Sequence, residues 1–268
     1  MSLTRKGSTE NRARQILFEA LPFLTDDPKP GIIAYLSWCK EQGNSNRTLS
    51  NKLIRIGAFY NAMFGIEPKS LRVPKPTFVT RMPQIYTTED LSLFFGACNA
   101  KQKLYFKTLL CGGLRMQEAR YLEFSDLEDG FLNVKAKPEY GWTPKTSEER
   151  RIPVPKSLTA ELMAETVDEF GNKISRRSTL VFPTAKGQPD YHTLRTAKRI
   201  AKRAGLDPKK WSLHGFRRTC LTRLVNAGNL GLPTVMAIAG HRDTKSALRY
   251  QRPLDGDVLQ AKIENMWI

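Results

Sequence analysis

The chain has 268 residues, 40% of them hydrophobic, with 43 Lys and Arg against 26 Asp and Glu and a formal net charge of +17. That apolar content excludes a disordered chain, and no run of about 18 apolar residues marks a membrane-spanning helix. The excess of positive charge points to a polyanionic partner, nucleic acid first, because Lys and Arg neutralise phosphates and release counterions. Cys39, Cys98, Cys111 and Cys220 form no C-x-x-C pair and have no His placed to complete a zinc knuckle. They read as reduced thiols of an intracellular protein. The polar stretch Met1 to Arg14 lacks the apolar core of a signal peptide, so a cytoplasmic, nucleoid-associated location is expected.

In chain order, Asn11 to Leu24 reads as a helix that stops at Asp26-Asp27-Pro28, and Gly31 to Gln42 as a second closed by Gly43. Asn44-Ser45 then offers an N-cap to a long helix. There Leu49, Leu53, Ile56, Tyr60 and Met63 recur at spacings of three and four as one apolar face, with Arg47, Lys52 and Arg55 off it. Residues 68–83 hold Pro68, Pro74, Pro76 and Pro83 among basic side chains, which predicts an extended connector. From Thr87 a helix runs through Ala97, a second covers Leu104 to Leu110, and a third begins near Leu114 after Gly112-Gly113. Phe131 to Ala136 and Arg151 to Val154 read as strands. The remainder is helical: Tyr191 to Ala204, His214 to Ala227, Leu232 to Ala239, Asp243 to Tyr250, and a tail from Val258 to Trp267.

Two of the three histidines sit in tight settings. His214 and Arg217 stand at i and i+3, one face of a helix. His241 follows Gly240, and Tyr250 lies nine positions later. A guanidinium fork matches two phosphate oxygens, and a tyrosine can act as a covalent nucleophile on phosphorus. Taken singly these spacings also suit a surface pair and a packing residue.

Together they resemble the phage-integrase type of tyrosine recombinase. The likeness is carried by Leu213-His214-Gly215-Phe216-Arg217-Arg218-Thr219, by Leu221-Thr222-Arg223-Leu224, by Ala239-Gly240-His241 and by Tyr250. Gly112-Gly113-Leu114-Arg115-Met116-Gln117-Glu118, with Ser125-Asp126-Leu127 after it, is similar to that family's first arginine box. Pro144-Lys145-Thr146 running into Arg151-Ile152-Pro153-Val154 is similar to its β-hairpin lysine region. Arg218 stands where many members have a second His, Ala239 where Leu is common, and Ser246 to Arg249 replaces a Thr-rich approach to the tyrosine.

The resemblance implies that Arg115 and Arg217 clamp the scissile phosphate and that His214 bonds it and helps deprotonate Tyr250. His241 would donate to the phosphate, and Lys145 would protonate the departing 5′-oxygen, with Lys135 and Lys137 as competing lysines. Glu118 is either a support for Arg115 or a helix-surface acid. Tyr250 would attack, giving a 3′-phosphotyrosine link and, on strand exchange, a Holliday junction. No metal, cofactor or ATP is implied, because positive side chains take the place of metal ions.

The implied architecture is mainly α with a small β-sheet (α+β). A helical, SAM-like core-binding domain spans 1–67, a basic linker 68–83 and a mixed catalytic domain with a tail helix 84–268, together a C-shaped clamp on double-stranded DNA at a specific core site. No arm-site domain of the kind found in some phage integrases is recognised, which suggests a simpler core-site enzyme, of a mobile element, or a shortened chain. On the DNA side, Arg47, Lys52 and Arg55 are expected to grip the duplex from the first domain. On the 191–204 helix, Leu194, Ala197, Ala201 and Ala204 form an apolar stripe, and Arg195, Lys198, Arg199 and Lys202 a basic one, with Tyr191, His192 and Thr193 nearer the bases. Leu259, Ile263, Met266 and Trp267 give the tail an apolar face that would dock on its own domain or on the next protomer of a tetramer. Two other readings stay open: a type IB topoisomerase with the same chemistry, and a non-catalytic regulator in which Leu221 to His241 is a helix-turn-helix.

Overall fold

The computed structural model describes residues 5–25, 27–79, 84–145, 148–164, 178–227 and 230–240, with Thr244 and Leu248. The chain divides into two compact units, Met1–Arg81 and Met82–Ile268. The predicted helix from Asp243 to Tyr250, apart from those two residues, and the tail from Val258 to Trp267 lie outside the described residues.

Among the described residues the first unit is built on three α-helices. Helix α1 spans Arg5–Ala20 and is followed by a 3₁₀ turn at Leu21–Phe23. Helix α2, Pro28–Glu41, starts with Pro28 in its first turn and with the Asp27 side chain accepting from the Lys29 amide. Helix α3, Asn46–Phe64, is capped by the Ser45 hydroxyl, which accepts from the Thr48 amide, and ends at Gly65 with φ 67°. Ile16, Ile32, Tyr35, Leu36, Leu49, Ile56 and Tyr60 form the core. Met63, expected on the apolar face of α3, is exposed, because the helix outruns the neighbours that cover its earlier turns. Part of the expected connector belongs to this unit: Leu71 is buried in its core, Ile66 and Val73 pack against it, and Pro68 lies over Gly57.

Among the described residues the second unit joins seven α-helices to a three-stranded antiparallel sheet, so the molecule is mainly helical with a small sheet, as expected. Helices α4 (Thr88–Gly96) and α5 (Ala100–Gly112) each open with a capping box, Thr87 with Asp90 and Asn99 with Gln102. Helix α6 is Met116–Arg120. Strands β1 (Leu127–Glu128), β2 (Phe131–Val134) and β3 (Arg150–Pro153) pair in that order, with Leu132 opposite Ile152 and Asn133 opposite Arg151. Helix α7, Lys156–Ala164, was not anticipated; two buried leucines one turn apart, Leu158 and Leu162, are its whole apolar stripe. Helices α8 (Thr193–Arg203), α9 (Leu213–Ala227) and α10 (Leu232–Ala239) complete the unit.

An aromatic stack seats α9. The Trp211 ring lies 4.0 Å from that of Tyr86 and 4.2 Å from that of Phe94, both nearly parallel, and Phe216 meets all three. The Tyr86 hydroxyl donates to the Ser212 carbonyl and accepts from the Ser212 amide at 2.8 Å each, while the Tyr86 amide donates to Thr219 Oγ1. Any Cβ on Gly215 would fall onto that hydroxyl, so Gly215 is the residue that lets Tyr86 lie flat along the first turn of α9. Gly215→Ala should therefore destabilise the protein by about 2 kcal/mol through overpacking, despite the better helix propensity of Ala. Thermal unfolding checks this; an unchanged or raised melting temperature would contradict the packing described.

Candidate active site

The tight turn after α5 sets the first arginine. Gly113 has φ 55°, and a Cβ there would meet Cys220 Sγ at 3.1 Å, so both conformation and space call for glycine. The chain then enters α6 with Arg115 at its N-cap. Glu118, three residues on, accepts from the Arg115 amide at 2.7 Å and from Arg115 Nη1 at 2.8 Å. Arg150 reaches the same carboxylate from β3, through Nη2 at 2.7 Å and Nη1 at 3.1 Å. Burial would raise the Glu118 pKa, but the bonds and charge of Arg150, then the amide and charge of Arg115, overcome it and hold the carboxyl down at about 2.

The same arginines meet the end of α10. Arg150 Nε donates to the Ile238 carbonyl at 2.9 Å, Arg217 Nη2 to that of Ala239, and Arg115 Nη2 to that of Gly240 at 3.0 Å. The last carbonyls of a helix have no intrahelical donor and sit at the negative end of its dipole. Arg217 also donates through Nη1 to the Gly113 carbonyl, and it is only 1% exposed. The i, i+3 spacing therefore does not show His214 and Arg217 to one partner: His214 is exposed and Arg217 faces inward.

His214 lies in the first turn of α9. The residue is exposed overall, yet protein packs around its imidazole. That crowding first, then the cations Arg217, Arg218, Arg115 and Lys145, push its pKa down to about 4. These four charges thus gather around one imidazole from three parts of the chain, the start of α6, the segment before β3 and α9 itself. Lys145 is exposed. Lys137 is not free to compete, being buried in ion pairs with Glu123 at 2.6 Å and Asp126 at 2.9 Å. Lys135 is exposed. Arg218 Nε is buried without a hydrogen-bond partner. His241 and Tyr250 lie outside the described residues. Among the described residues no three of His, Cys, Asp and Glu gather as a metal site.

Sequence reasoning missed Arg150. The signal was there: Arg150 shares a strand face with the buried Ile152, and a guanidinium on an inward face calls for a buried acid.

On α8 the basic side chains Arg195, Lys198, Arg199 and Lys202 are exposed, while Ala197, Ile200 and Ala201 are buried. Two expectations need correction here. Thr193 is buried, lining a cavity of about 500 Å³ with Tyr105 and Phe182, so it does not face outward to bases. Leu194 is 40% exposed, and Ile200 takes its place in the apolar stripe. Tyr191 and His192 are exposed. The Tyr191 ring lies under Arg120 at 4.2 Å, and its hydroxyl is 3.3 Å from that of Tyr121. In the first unit Arg55 is exposed, and so is Arg47, with its guanidinium over Phe78 at 5.1 Å. Lys52 is a third correction. Its ammonium donates to Glu19 at 2.7 Å, to the Tyr35 hydroxyl at 3.0 Å and to Cys39 Sγ at 3.3 Å, so it is an internal tie rather than a DNA contact.

The site titrates in a defined window. Folded His214 stays neutral down to about pH 4, whereas an unfolded chain takes up that proton near 6.5, so stability falls as pH drops between those values. Glu118, at about 2 against its usual 4.5, adds a loss at pH below 4.5. Melting temperature followed from pH 7 to 4 should fall, and less steeply in His214→Gln; parallel curves for the two proteins would contradict this assignment.

The model of the phage integrase family matches residues 82–256, well over half of the chain. The tyrosine recombinase XerC of Pelotomaculum thermopropionicum is 25% identical over 228 residues, covering 77% of this chain and 71% of that protein. XerC of Caldanaerobacter subterraneus is 22% identical over 245 residues, covering 87% and 67%. Among solved structures, the Tn1549 transposon integrase in complex with transposon right end DNA superposes with a TM-score of 0.75 at 19% identity, over 100% of this chain and 95% of that one. A lambda integrase dimer bound to a COC′ core site gives 0.69 at 14%, over 95% and 92%. With the arginine, lysine and histidine groups converging as described, the match establishes that this chain belongs to the phage integrase family of tyrosine-type site-specific recombinases.

Proposed function

We propose that the protein cleaves and rejoins double-stranded DNA at a specific core site, with Tyr250 as nucleophile and a 3′-phosphotyrosine intermediate. The observation that carries this is the convergence of Arg115, Arg217, Arg218 and Lys145 on His214, in a unit where Arg115 and Arg217 also hold the residues just ahead of His241. Such a cluster of cations suits the non-bridging oxygens of a phosphodiester, whose charge grows in the transition state. The tyrosine oxygen bonds to phosphorus as the bond to the 5′-oxygen breaks. His214, neutral at pH 7, is free to accept the tyrosine proton, and Lys145 delivers one to the leaving oxygen. His241 donates to the phosphate. The bond energy is retained in the phosphotyrosine, so rejoining is the same step in reverse and needs no ATP.

Relatives support the partner. Tn1549 integrase and lambda integrase are both seen on DNA. On this chain Arg47, Arg55, Tyr191, His192 and the basic side of α8 are assigned to the duplex. Exchange of strands between two duplexes passes through a Holliday junction within a tetramer, linked by the apolar tail from Leu259 to Trp267.

Four outcomes are expected. With nicked suicide duplexes tiled across the DNA flanking the gene, the wild type leaves a covalent band on a denaturing gel at its own site, and Tyr250→Phe binds equally well but gives none. A wild type that never forms the band defeats the proposal. At that site Lys145→Ala cleaves about 100-fold more slowly, and a 5′-bridging phosphorothiolate, whose sulfur leaves without a proton, restores it; no restoration removes the acid role. On random duplex DNA, Lys198→Ala or Arg199→Ala weakens binding and lowers the slope of log affinity against log salt by about 1. Lys52→Met lowers the melting temperature and leaves that slope unchanged.

A further inference from the structure

We propose that Arg150 is a positioning residue for strand cleavage, tying Arg115 and the end of α10 to the sheet. It rests on the recombinase reading above. Arg150 spends all three of its donor nitrogens inside the protein, Nη1 and Nη2 on Glu118 and Nε on the Ile238 carbonyl, and its side chain is 8% exposed. It therefore makes no contact with DNA itself. Its base is rigid, since β3 pairs along its whole length with β2. Its side chain lies against Gly240, where a Cβ would come within 3.2 to 3.3 Å of Nη1, Cδ and Cζ and where φ is 60°. One side chain thus sets both the carboxylate that orients Arg115 and the helix end that delivers His241.

Without Arg150, Glu118 has Arg115 alone to neutralise it, and the Ile238 carbonyl loses its partner. A lysine keeps the charge but cannot bond Glu118 and Ile238 together. The loss falls on geometry at the phosphate rather than on affinity for DNA. A displacement on the order of 1 Å there costs about 100-fold in rate.

The test uses the full-length protein on its own core site, with Arg150→Lys and Arg150→Gln. Both should bind the duplex within about twofold of wild type and form the covalent adduct about 100-fold more slowly in single turnover. Arg150→Gln should also lose rate at a higher pH than the wild type on acidification. The Glu118 pKa rises once its strongest partner is gone, which adds a loss above the acid limb that protonation of His214 near pH 4 gives the wild type. If Arg150→Gln does not fold, Gly240→Ala, which pushes a methyl against the guanidinium, decides, and the same selective rate loss is expected. Variants that cleave at the wild-type rate with the wild-type pH profile, or lose rate only in proportion to their unfolded fraction, overturn the positioning role while the recombinase reading stands. A wild type that forms no adduct ends both.

Discussion

The second unit depends on three guanidiniums meeting the last carbonyls of α10. Arg115, Arg150 and Arg217 come from the N-cap of α6, from β3 and from α9, and they take the carbonyls of Gly240, Ile238 and Ala239. Helix α10 is eight residues long, too short to persist on its own propensity. Its apolar side packs through Val235 and Ala239 on Leu221, and the arginines fix its polar end. Sites separated by more than a hundred residues are joined there by hydrogen bonds to backbone, which no side-chain substitution within α10 removes directly.

This arrangement has an electrostatic cost, visible in the titrating groups. Several cations share a small volume with one buried carboxylate, Glu118, which stays ionised because Arg150 and Arg115 bond it. The uncompensated remainder falls on His214, whose protonation is resisted. A pocket in that state is built for an anion. Burial is the larger cause of that resistance, and the charge that adds to it is the charge that would stabilise a phosphate, so the site's chemistry and part of its acid sensitivity share an origin.

The two units handle buried charge differently. In the first, Lys52 is satisfied by Glu19, Tyr35 and Cys39 within a small helical core, and nothing in that network opens to a ligand. In the second, aromatic packing does the structural work beneath α9, through Tyr86, Phe94, Trp211 and Phe216, and leaves His214 exposed on the same helix.

The sequence by itself determined the local elements whose signals are short-range: the caps at Ser45 and Thr87, the stop at Gly65, the break at Gly112-Gly113, the extent of α10, and the mainly helical character with a small sheet. Periodicity and capping depend on neighbours within one or two turns, and a chain carries those on its face. It also named the residues that the resemblance placed in the site. Tertiary structure alone decided which charged residues look outward. Lys52 and Arg55 are three apart on one helix, yet one is an internal tie and the other is exposed. Lys137 and Lys145 lie in one segment, yet one is locked by Glu123 and Asp126 while the other acts on His214. Arg150 drew no reading from the sequence, because Glu118 and Ile238, the partners that give it a role, come from distant parts of the chain. A charge is neutralised by whatever partner the fold brings within about 3 Å, and that partner is set by packing between elements, which sequence spacing does not encode.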